Sequence, residues 1–501
     1  MDTTLRDGEQ TSSVSFTESE KLAIAKLLLE DLKIDRVEIA SARVSEGEYK
    51  GAKLILDWAK KNGYTDKVEI LGFVDGMESL NWIKEAGGRV INLLTKGSLK
   101  HCELQLRKTP EEHVSDIREV VRNAEKMGFR VNIYFEDWSN GMRTSREYVY
   151  FMLNNLKDEK IDRFMLPDTL GILNHKETFE MCKDMVDRYP DLNFDFHAHN
   201  DYDLATANVY SAIQAGISGI HTTVNGLGER AGNVPLSSVI GIVIDHLGYK
   251  MSVNEEKLYT VSKIIERFSG IRIPANKPLI GENVFTQTSG IHADGDQKDN
   301  LYFNDLIPER FGRKRQYALG KMSGKASIHK NLEELGIELT KEEMKLVTQK
   351  VIELGDKKEV VTKEDLPYII SDVLRSKKVV EKIKIRNYSL SVAAGLRSTA
   401  TLSIDIEGKD YEGTASGDGQ YNAFIRALWG IYDSLERPHP VIKDYVVSIP
   451  PGGKSDALCE CLITWDLKGK YFKTRGLDSD QTVAAIKGTI RMLNLIETME
   501  K

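Results

Sequence analysis

The chain has 501 residues, of which 41% are hydrophobic and 29% charged, an ordinary balance for a protein of several domains with a large core. Its formal net charge of −7 argues against nucleic acid as the main partner, and no apolar run approaches the roughly 18 residues of a bilayer span, so no membrane partner is expected. The first residues do not form a charged-then-apolar signal segment, and four cysteines are too few for a disulfide framework, so a cytoplasmic location is expected.

Along the first 250 residues, short apolar stretches of strand character alternate with amphipathic helical patterns. One helical pattern is "FTESEKLAIAKLLLEDL" (16–32), whose Thr–x–x–Glu start is typical of a capping box. The strand stretches occupy 35–41, 68–74, 90–95, 131–137, 164–169, 194–200 and 219–225, and "DTT" at 2–4 would supply an eighth. Eight β/α units in about 250 residues is the size of a (β/α)8 barrel. A doubly wound sheet would show a Gly-rich fingerprint after its first strand, which is missing. We therefore predict an α/β fold with a TIM barrel over residues 1–255.

The pattern changes after the barrel. Residues 256–378 begin with a polar, Gly-punctuated stretch that is too long for a simple connector, and helical patterns follow it. They are predicted to form helical linker subdomains that contribute to the active site. Residues 379–501 show strands in hairpin-like groups with helices at 420–435 and 480–496, which predicts a separate α+β domain with weak internal symmetry.

The stretch "FHAHND" places two histidines at the end of a predicted strand. Because strand residues two apart share a face, His197 and His199 should both point into the barrel mouth, where two imidazoles can share a cation. A hydrogen-bonded pair of core histidines is the alternative. Divalent cations bound by imidazole also take oxygen ligands, and we expect these from Asp7, just after the N-terminal strand at 2–4, and from Asn233, just after the strand at 219–225. The set accepts Zn²⁺, Mn²⁺ or Mg²⁺.

Ligands from three separate loops with two coordination positions left open are typical of a catalytic metal site. The open positions suit a 2-oxoacid that binds through its carboxylate and keto oxygens, with the metal as Lewis acid. Arg6 is predicted to place positive charge where an alkoxide develops. Thr169 is predicted to hydrogen-bond the substrate carboxylate, with a helix cap as the alternative.

Four motifs in order, "DTTLRDGEQ", "LPDTLG", "FHAHND" and "NGLGERAGN", resemble the acyltransferase branch of the DRE-TIM barrel superfamily. This branch comprises isopropylmalate, citramalate and homocitrate synthases. The resemblance covers essentially the whole chain, because the last domain is similar to the regulatory domain of the first two enzymes. It implies a Claisen-type condensation of acetyl-CoA, as co-substrate, with a 2-oxoacid, followed by thioester hydrolysis.

The resemblance also implies roles for single residues. Asp7, His197, His199 and Asn233 match the metal ligands, and Arg6 matches the oxoacid-polarising arginine. Catalytic roles are implied for His292, as the base that takes the acetyl methyl proton, and for Glu136, Tyr302 and the neighbouring Asp294.

The match is closest to the citramalate synthase type, in which a small pocket closes around the pyruvate methyl group. Leu71, Leu94 and Tyr134 lie at or near the ends of the strands at 68–74, 90–95 and 131–137 and are predicted to form the wall of that pocket. A leucine at a strand end can also be part of the barrel core. The predicted product is (R)-citramalate, and its formation would be the first committed step of a branched-chain amino-acid pathway. The alternatives are 2-isopropylmalate synthesis from 2-oxoisovalerate, an acyl-CoA lyase of the same superfamily, and an amino-acid sensor with an inactive barrel.

By the same resemblance, the C-terminal domain is expected to bind an amino-acid effector, isoleucine or leucine, that inhibits the enzyme. The effector-binding residues are predicted to be Tyr421, Asn422, Tyr445 and Gln481, and a homodimer is expected. We also expect Met1 to be an internal methionine of a longer natural chain, because few residues precede the loop that carries Arg6.

Overall fold

The computed structural model describes residues 1–296, 298, 301–302, 304–356, 361–374, 382–448 and 459–499. These form two compact units, each described by itself below. The first unit comprises Met1–Phe285 and Asn304–Lys314, and the second comprises Thr286–Phe303 and Arg315–Lys501.

A seven-stranded parallel sheet forms the centre of the first unit, with its strands in sequence order. The strands are β1 (Val37–Ser41), β2 (Val68–Phe73), β3 (Val90–Lys96), β4 (Arg130–Glu136), β5 (Arg163–Asp168), β6 (Phe194–Ala198) and β7 (Gly219–His221). Almost every strand residue is buried, as expected for a parallel sheet covered on both faces.

The N-terminal segment closes the sheet into a barrel. Asp2 forms parallel bridges to both Val37 of β1 and Thr222 just beyond β7. The eighth strand predicted from "DTT" is thus confirmed as the element that joins the two edges, although it is a bridge of one residue rather than a full strand.

Helices surround this barrel. They are α1 (Glu18–Lys26), α2 (Glu46–Asn62), α3 (Glu78–Ala86), α4 (Pro110–Lys126), α5 (Trp138–Thr144), α6 (Arg146–Leu156), α7 (His175–Arg188), α8 (Ala205–Gln214), α9 (Leu236–Asp245) and α10 (Leu258–Ser269). Capping boxes at Thr17, Thr109 and Asn174 begin α1, α4 and α7, because each side chain accepts a hydrogen bond from the first turn. Helix α1 continues as a π-helical turn over Leu27–Asp31.

The second unit begins with short elements. These are β8 (Thr286–Gln287), α11 (Gly290–Asp296), β9 (Gln316–Tyr317), α12 (Lys325–Glu334), α13 (Lys341–Asp356) and α14 (Leu366–Val373). Helices α12 to α14 share a small apolar core of their own, as expected for a helical linker.

Two similar halves make up the rest of the second unit. The antiparallel sheets are β10 (Ile383–Ser391), β11 (Ser398–Ile406) and β12 (Lys409–Gly417), then β13 (Val441–Ser448), β14 (Cys459–Leu467) and β15 (Lys470–Asp478). Helix α15 (Gln420–Ser434) packs on the first sheet and α16 (Gln481–Met499) on the second, and both halves contribute to one core. The predicted fold class, a TIM barrel followed by helical linkers and an α+β domain with internal doubling, is confirmed. The domain limits at 255 and 378 stay a prediction. Within the described residues, no helix is long and apolar enough to cross a membrane.

Candidate metal centre and active site

Three buried side chains converge at the C-terminal mouth of the barrel. The Nε2 atom of His197 lies 3.0 Å from Oδ2 of Asp7, and Nε2 of His199 lies 3.7 Å from the same oxygen. The two Nε2 atoms are 3.4 Å apart. All three residues are less than a tenth exposed, and each offers one ligand atom within 4.8 Å of the others. We call Asp7, His197, His199 and Asn233 the metal cluster.

Local backbone structure places these side chains. The amides of Arg6, Asp7 and Gly8 all donate to the Thr3 carbonyl, which turns the chain sharply at the end of the closing segment. His197 lies on β6, and His199 follows it with a backbone bridge to Asn233.

Gly228 lets the loop before Asn233 pass close to that side chain. A Cβ atom at Gly228 would lie 2.2 Å from Nδ2 of Asn233, and the φ of +152° also favours glycine. Gly228 therefore leaves room for the Asn233 amide at the barrel mouth.

The donor atoms of the cluster fit a divalent cation. Both carboxylate oxygens of Asp7 and Oδ1 of Asn233 are buried and have no hydrogen-bond partner among the described residues, so His197 and Arg6 meet Asp7 only as ion-pair neighbours. Buried polar atoms of this kind normally have a hydrogen-bond partner. Burial acts to raise the pKa of Asp7, but the Arg6 guanidinium and the two imidazoles outweigh it and hold the pKa well below its usual range. Burial lowers the pKa of His199 to about 4, so its imidazole is neutral at neutral pH, as a metal ligand must be.

Arg6 lies beside this cluster. Its Nη1 atom is 3.6 Å from Oδ2 of Asp7, its Nε donates to the Glu38 carboxylate, and its Nη2 donates to the Tyr134 hydroxyl at 3.2 Å. Burial opposes the charge, but Glu38 and Asp7 raise the pKa of Arg6 above its usual value. The predicted role of Arg6 requires a fixed, fully charged guanidinium, and this one lies next to the Asp7 carboxylate.

Below the mouth, a closed ring of hydrogen bonds and ion pairs crosses the barrel interior. It runs from Arg6 through Glu38, Asn92, Asn132, Glu69, Arg36, Asp195, His221 and Tyr134 back to Arg6. We call the members other than Arg6 and Tyr134 the floor network. Burial lowers the pKa of His221 to about 3, and His221 and Arg36 together hold the pKa of Asp195 well below its usual value against the effect of burial.

Sequence reasoning missed the floor network. A usable signal was present, because each of five strands carries a polar residue near its start with an apolar residue on either side, namely Glu38, Glu69, Asn92, Asn132 and Asp195.

The residues predicted to close the substrate pocket form one apolar cluster. Leu71, Tyr134 and Met165 are buried together with Met1, and Leu94 packs against them. We call these five the wall cluster. Since the Tyr134 hydroxyl bonds Arg6, the wall cluster and the guanidinium lie side by side.

Thr169 follows β5 at the same end of the barrel. Its hydroxyl oxygen accepts a hydrogen bond from the Asp137 amide at 2.9 Å, while α7 is capped by Asn174 instead. The helix-cap alternative is therefore wrong. The Thr169 hydroxyl hydrogen stays available as a donor, and its substrate role stays a prediction.

The remaining predicted catalytic residues belong to different units. Glu136 ends β4 in the first unit. His292, Asp294 and Tyr302 lie in the second, where the rings of His292 and Tyr302 pack with centroids 4.2 Å apart. Asp294 is exposed and accepts from Lys298 Nζ at 2.6 Å. Their catalytic roles stay predictions.

Two of the four predicted effector residues meet in the C-terminal domain. The rings of Tyr421 and Tyr445 stack with centroids 5.3 Å apart, and the Tyr421 hydroxyl lies 2.8 Å from Oγ1 of Thr489. Asn422 and Gln481 are exposed, in the first turns of α15 and α16. Asn422 Oδ1 accepts from the Asp418 amide at 3.2 Å.

Fold and site together define a (β/α)8 barrel with a candidate metal centre at its mouth, followed along the chain by an α+β domain. Family matches divide the chain in the same order. The HMGL-like family matches residues 1–265, the homocitrate synthase post-HMGL domain-like family matches 279–359, and the LeuA allosteric (dimerisation) domain matches 360–497.

Curated relatives carry two kinds of name. A putative (R)-citramalate synthase of Methanopyrus kandleri is 34% identical over 428 residues, 85% of this chain and 82% of the relative. A probable 2-isopropylmalate synthase of the same organism is 32% identical over 496 residues, 98% and 97%. An (R)-citramalate synthase of Methanocaldococcus jannaschii is 32% identical over 504 residues, 99% and 98%. The chain belongs to the HMGL-like family, and within it to the citramalate and 2-isopropylmalate synthases, the acetyl-CoA-condensing branch of the DRE-TIM superfamily.

Proposed function

We propose that the enzyme condenses acetyl-CoA with pyruvate and hydrolyses the thioester to give (R)-citramalate and free coenzyme A. The observation that carries this choice of oxoacid is the wall cluster. Leu71, Tyr134 and Met165 are each at most 5% exposed and pack against one another next to Arg6. A pocket wall built from these side chains suits a methyl group better than an isopropyl group.

The residues divide the reaction between them. Asp7, His197, His199 and Asn233 would hold a divalent cation, Zn²⁺, Mn²⁺ or Mg²⁺, which supplies Lewis-acid polarisation of the keto group when bound. Arg6 stabilises the negative charge that grows on that oxygen as the new carbon–carbon bond forms.

The proton transfer falls to a second set of residues. His292 takes the methyl proton of acetyl-CoA, supported by Glu136 and Tyr302, with Asp294 beside it. A histidine suits this role because the imidazole is the commonest general base in enzymes. Thr169 donates to the oxoacid carboxylate.

A second candidate is 2-isopropylmalate synthesis from 2-oxoisovalerate, favoured by the relatives with that name at 32% identity. One or two methyl groups in a hydrophobic pocket are worth only about 1–3 kcal/mol each. A single side-chain shift in the wall cluster is therefore enough to reverse the preference.

The deciding measurement is thiol release from acetyl-CoA by the metal-loaded enzyme, with kcat/KM for pyruvate and 2-oxoisovalerate side by side. We expect at least a tenfold preference for pyruvate. Leu94→Ala should shift this ratio towards 2-oxoisovalerate by about tenfold or more, because it removes volume from the wall. Leu104→Ala is the matched control, since Leu104 is exposed. A tenfold preference of the unmodified enzyme for 2-oxoisovalerate would contradict the proposal.

We further propose that the C-terminal domain binds isoleucine or leucine as a feedback inhibitor and mediates a homodimer. The match to the LeuA allosteric (dimerisation) domain supports both parts. The stacked pair of Tyr421 and Tyr445 would contact the effector side chain, with Asn422 and Gln481 at the adjacent helix starts.

Rates measured with each amino acid at millimolar concentration test the regulatory proposal. A coupling free energy of about 1–3 kcal/mol between two sites corresponds to a 5- to 150-fold change in affinity. Tyr421→Ala should abolish the inhibition, whereas Tyr471→Ala should leave it intact because Tyr471 is 60% exposed. If neither amino acid changes the rate, the regulatory role is wrong.

A further inference from the structure

Lys96 carries a charge inside the barrel that none of these roles uses. It is the last residue of β3 and lies directly opposite Glu136, the last residue of β4. Its side chain is 8% exposed, and its ammonium pairs with the Glu136 carboxylate, whose side chain is 26% exposed. A buried ammonium costs free energy unless it is paired, so the burial of a lysine at this position calls for a functional explanation.

The pair is the uppermost of three that follow one another along the inner face of β3 and β4. The lowest pair, Asn92 and Asn132, belongs to the floor network and is joined by a hydrogen bond of 2.8 Å. The middle pair is Leu94 and Tyr134 of the wall cluster. Since strand residues two apart share a face, Lys96 and its partner point into the same interior, one layer above the wall of the substrate pocket.

The backbone of Lys96 is fixed from three directions. Its amide donates to Nε2 of His113 at 3.1 Å, and its carbonyl accepts from the Tyr148 hydroxyl at 3.1 Å. The next amide, Gly97, donates to the Glu136 carbonyl at 2.6 Å. Burial lowers the pKa of His113 to about 4, so its ring is neutral and Nε2 can act as this acceptor. The lysine is thus held at one place relative to β4.

We propose that Lys96 is a positioning residue of the condensing site, whose ammonium holds the Glu136 carboxylate in the top layer of the barrel interior. The inference rests on the proposed function, because the position of this carboxylate matters only if it supports proton transfer. Glu136 is a quarter exposed and can turn to water once its partner is lost. Displacing a catalytic group by about 1 Å can cost a factor of about 100 in rate.

A double-mutant cycle tests this in the full-length, metal-loaded enzyme. Lys96→Met and Glu136→Gln are made singly and together, and kcat and KM are measured separately for acetyl-CoA and the oxoacid. We expect each single variant to lower kcat about 100-fold with the KM for the oxoacid within about threefold of wild type. The double variant should lose no more than the worse single variant, because the two groups act as one unit.

Two further variants separate positioning from folding. Lys96→Arg keeps a cation and should retain kcat within about tenfold of wild type. Lys108→Met is the control, because Lys108 pairs with Asp116 at a half-exposed surface position. If Lys96→Met lowers Tm more than this control does, the cycle is repeated with Lys96→Gln, which keeps a polar end.

If the wild-type enzyme releases thiol, condensation is confirmed, and three results would then overturn the inference about Lys96 alone. These are an unchanged kcat in Lys96→Met, losses that multiply in the double variant, and a Lys96→Arg variant as poor as Lys96→Met. Absence of thiol release by wild type with either oxoacid would overturn the proposed function and this inference together.

Discussion

Two polar layers lie inside the same barrel, and on β6 they are only two residues apart, with Asp195 in one layer and His197 in the other. In the floor network, carboxylates, amides and cations bond one another around a closed ring that includes a bond of 2.7 Å from Asn92 to Glu38, and Arg163 adds one of 2.9 Å to Asp195. In the metal cluster at the mouth, the Asp7 carboxylate and the Asn233 amide oxygen are equally buried but have no hydrogen-bond partner among the residues that the structure describes.

The difference separates a structural use of buried polar groups from a functional one. Unpaired buried acceptors cost free energy, so a layer that keeps them is suited to a ligand that arrives later. A layer whose polar groups bond one another instead fixes geometry, and the floor network fixes Arg6 and Tyr134, the residues proposed to face the substrate.

The largest expected effect comes from removing a ligand at the mouth. Asp7→Asn should lower thiol release by at least 10³-fold, about 4 kcal/mol, because the cation loses its charged ligand. Added metal at 100 times its Kd should stabilise wild type by about 2.7 kcal/mol, and this gain should vanish in the variant. Asp162→Asn, at the exposed ion pair with Arg130, is the control. Retention of both properties in Asp7→Asn would show that the cluster is not the metal site.

The next largest effect is expected on stability, when the floor network is disrupted. Glu38→Gln leaves the buried Arg6 guanidinium facing an amide, and breaking one side of a buried ion pair costs about 3 kcal/mol. Urea unfolding should report this loss. Glu78→Gln disrupts only the exposed pair with Arg43 and should cost less than about 1 kcal/mol. Equal losses in the two variants would mean that the floor network is no more structural than the surface.

A further effect on stability is expected at Asp2, whose carboxylate lies outside the metal cluster and is only partly hydrogen-bonded. Oδ1 accepts a hydrogen bond from the Thr4 amide at 2.9 Å, whereas no described residue donates a hydrogen bond to the buried Oδ2. Burial raises the pKa of Asp2 to about 6.

The raised pKa of Asp2 determines how the stability of the protein should change with pH. A folded-state pKa above the unfolded one means that the ionised carboxylate is disfavoured by folding, so this cost is present above pH 6 and disappears as the pH falls towards 4. Asp2→Asn should therefore stabilise the protein at pH 7 by about 3 kcal/mol and have little effect at pH 4. Unfolding curves at both pH values, with Asp57→Asn on the exposed face of α2 as control, measure it. A gain that is the same at both pH values would contradict the assignment to Asp2.

The sequence predicted most of the fold because its signals are local. Each of β1 to β7 is a short apolar run, and the shared face of His197 and His199 follows from the two-residue period of a strand. The single bridge at Asp2 and the ring around the floor depend on barrel closure instead. Which polar side chain meets which across non-adjacent strands is set by curvature and tilt, so Glu38 meeting Arg6 could not be read from spacing. The pairing of Lys96 with Glu136 follows from the register of β3 and β4, which the sequence does not state.

The closing bridge has a consequence for the order in which the molecule is assembled. Neighbouring strands such as β1 and β2 pair residues 31 positions apart, Val37 with Val68, but Thr3 bonds Thr222 across 219 positions. Closing the longer loop costs about 1.7 kcal/mol more in chain entropy, and such distant contacts form slowly. Because Arg6 and Asp7 directly follow this contact, a chain with its seven strands already paired still lacks both groups. We therefore expect catalytic competence to appear only once this long-range contact has formed.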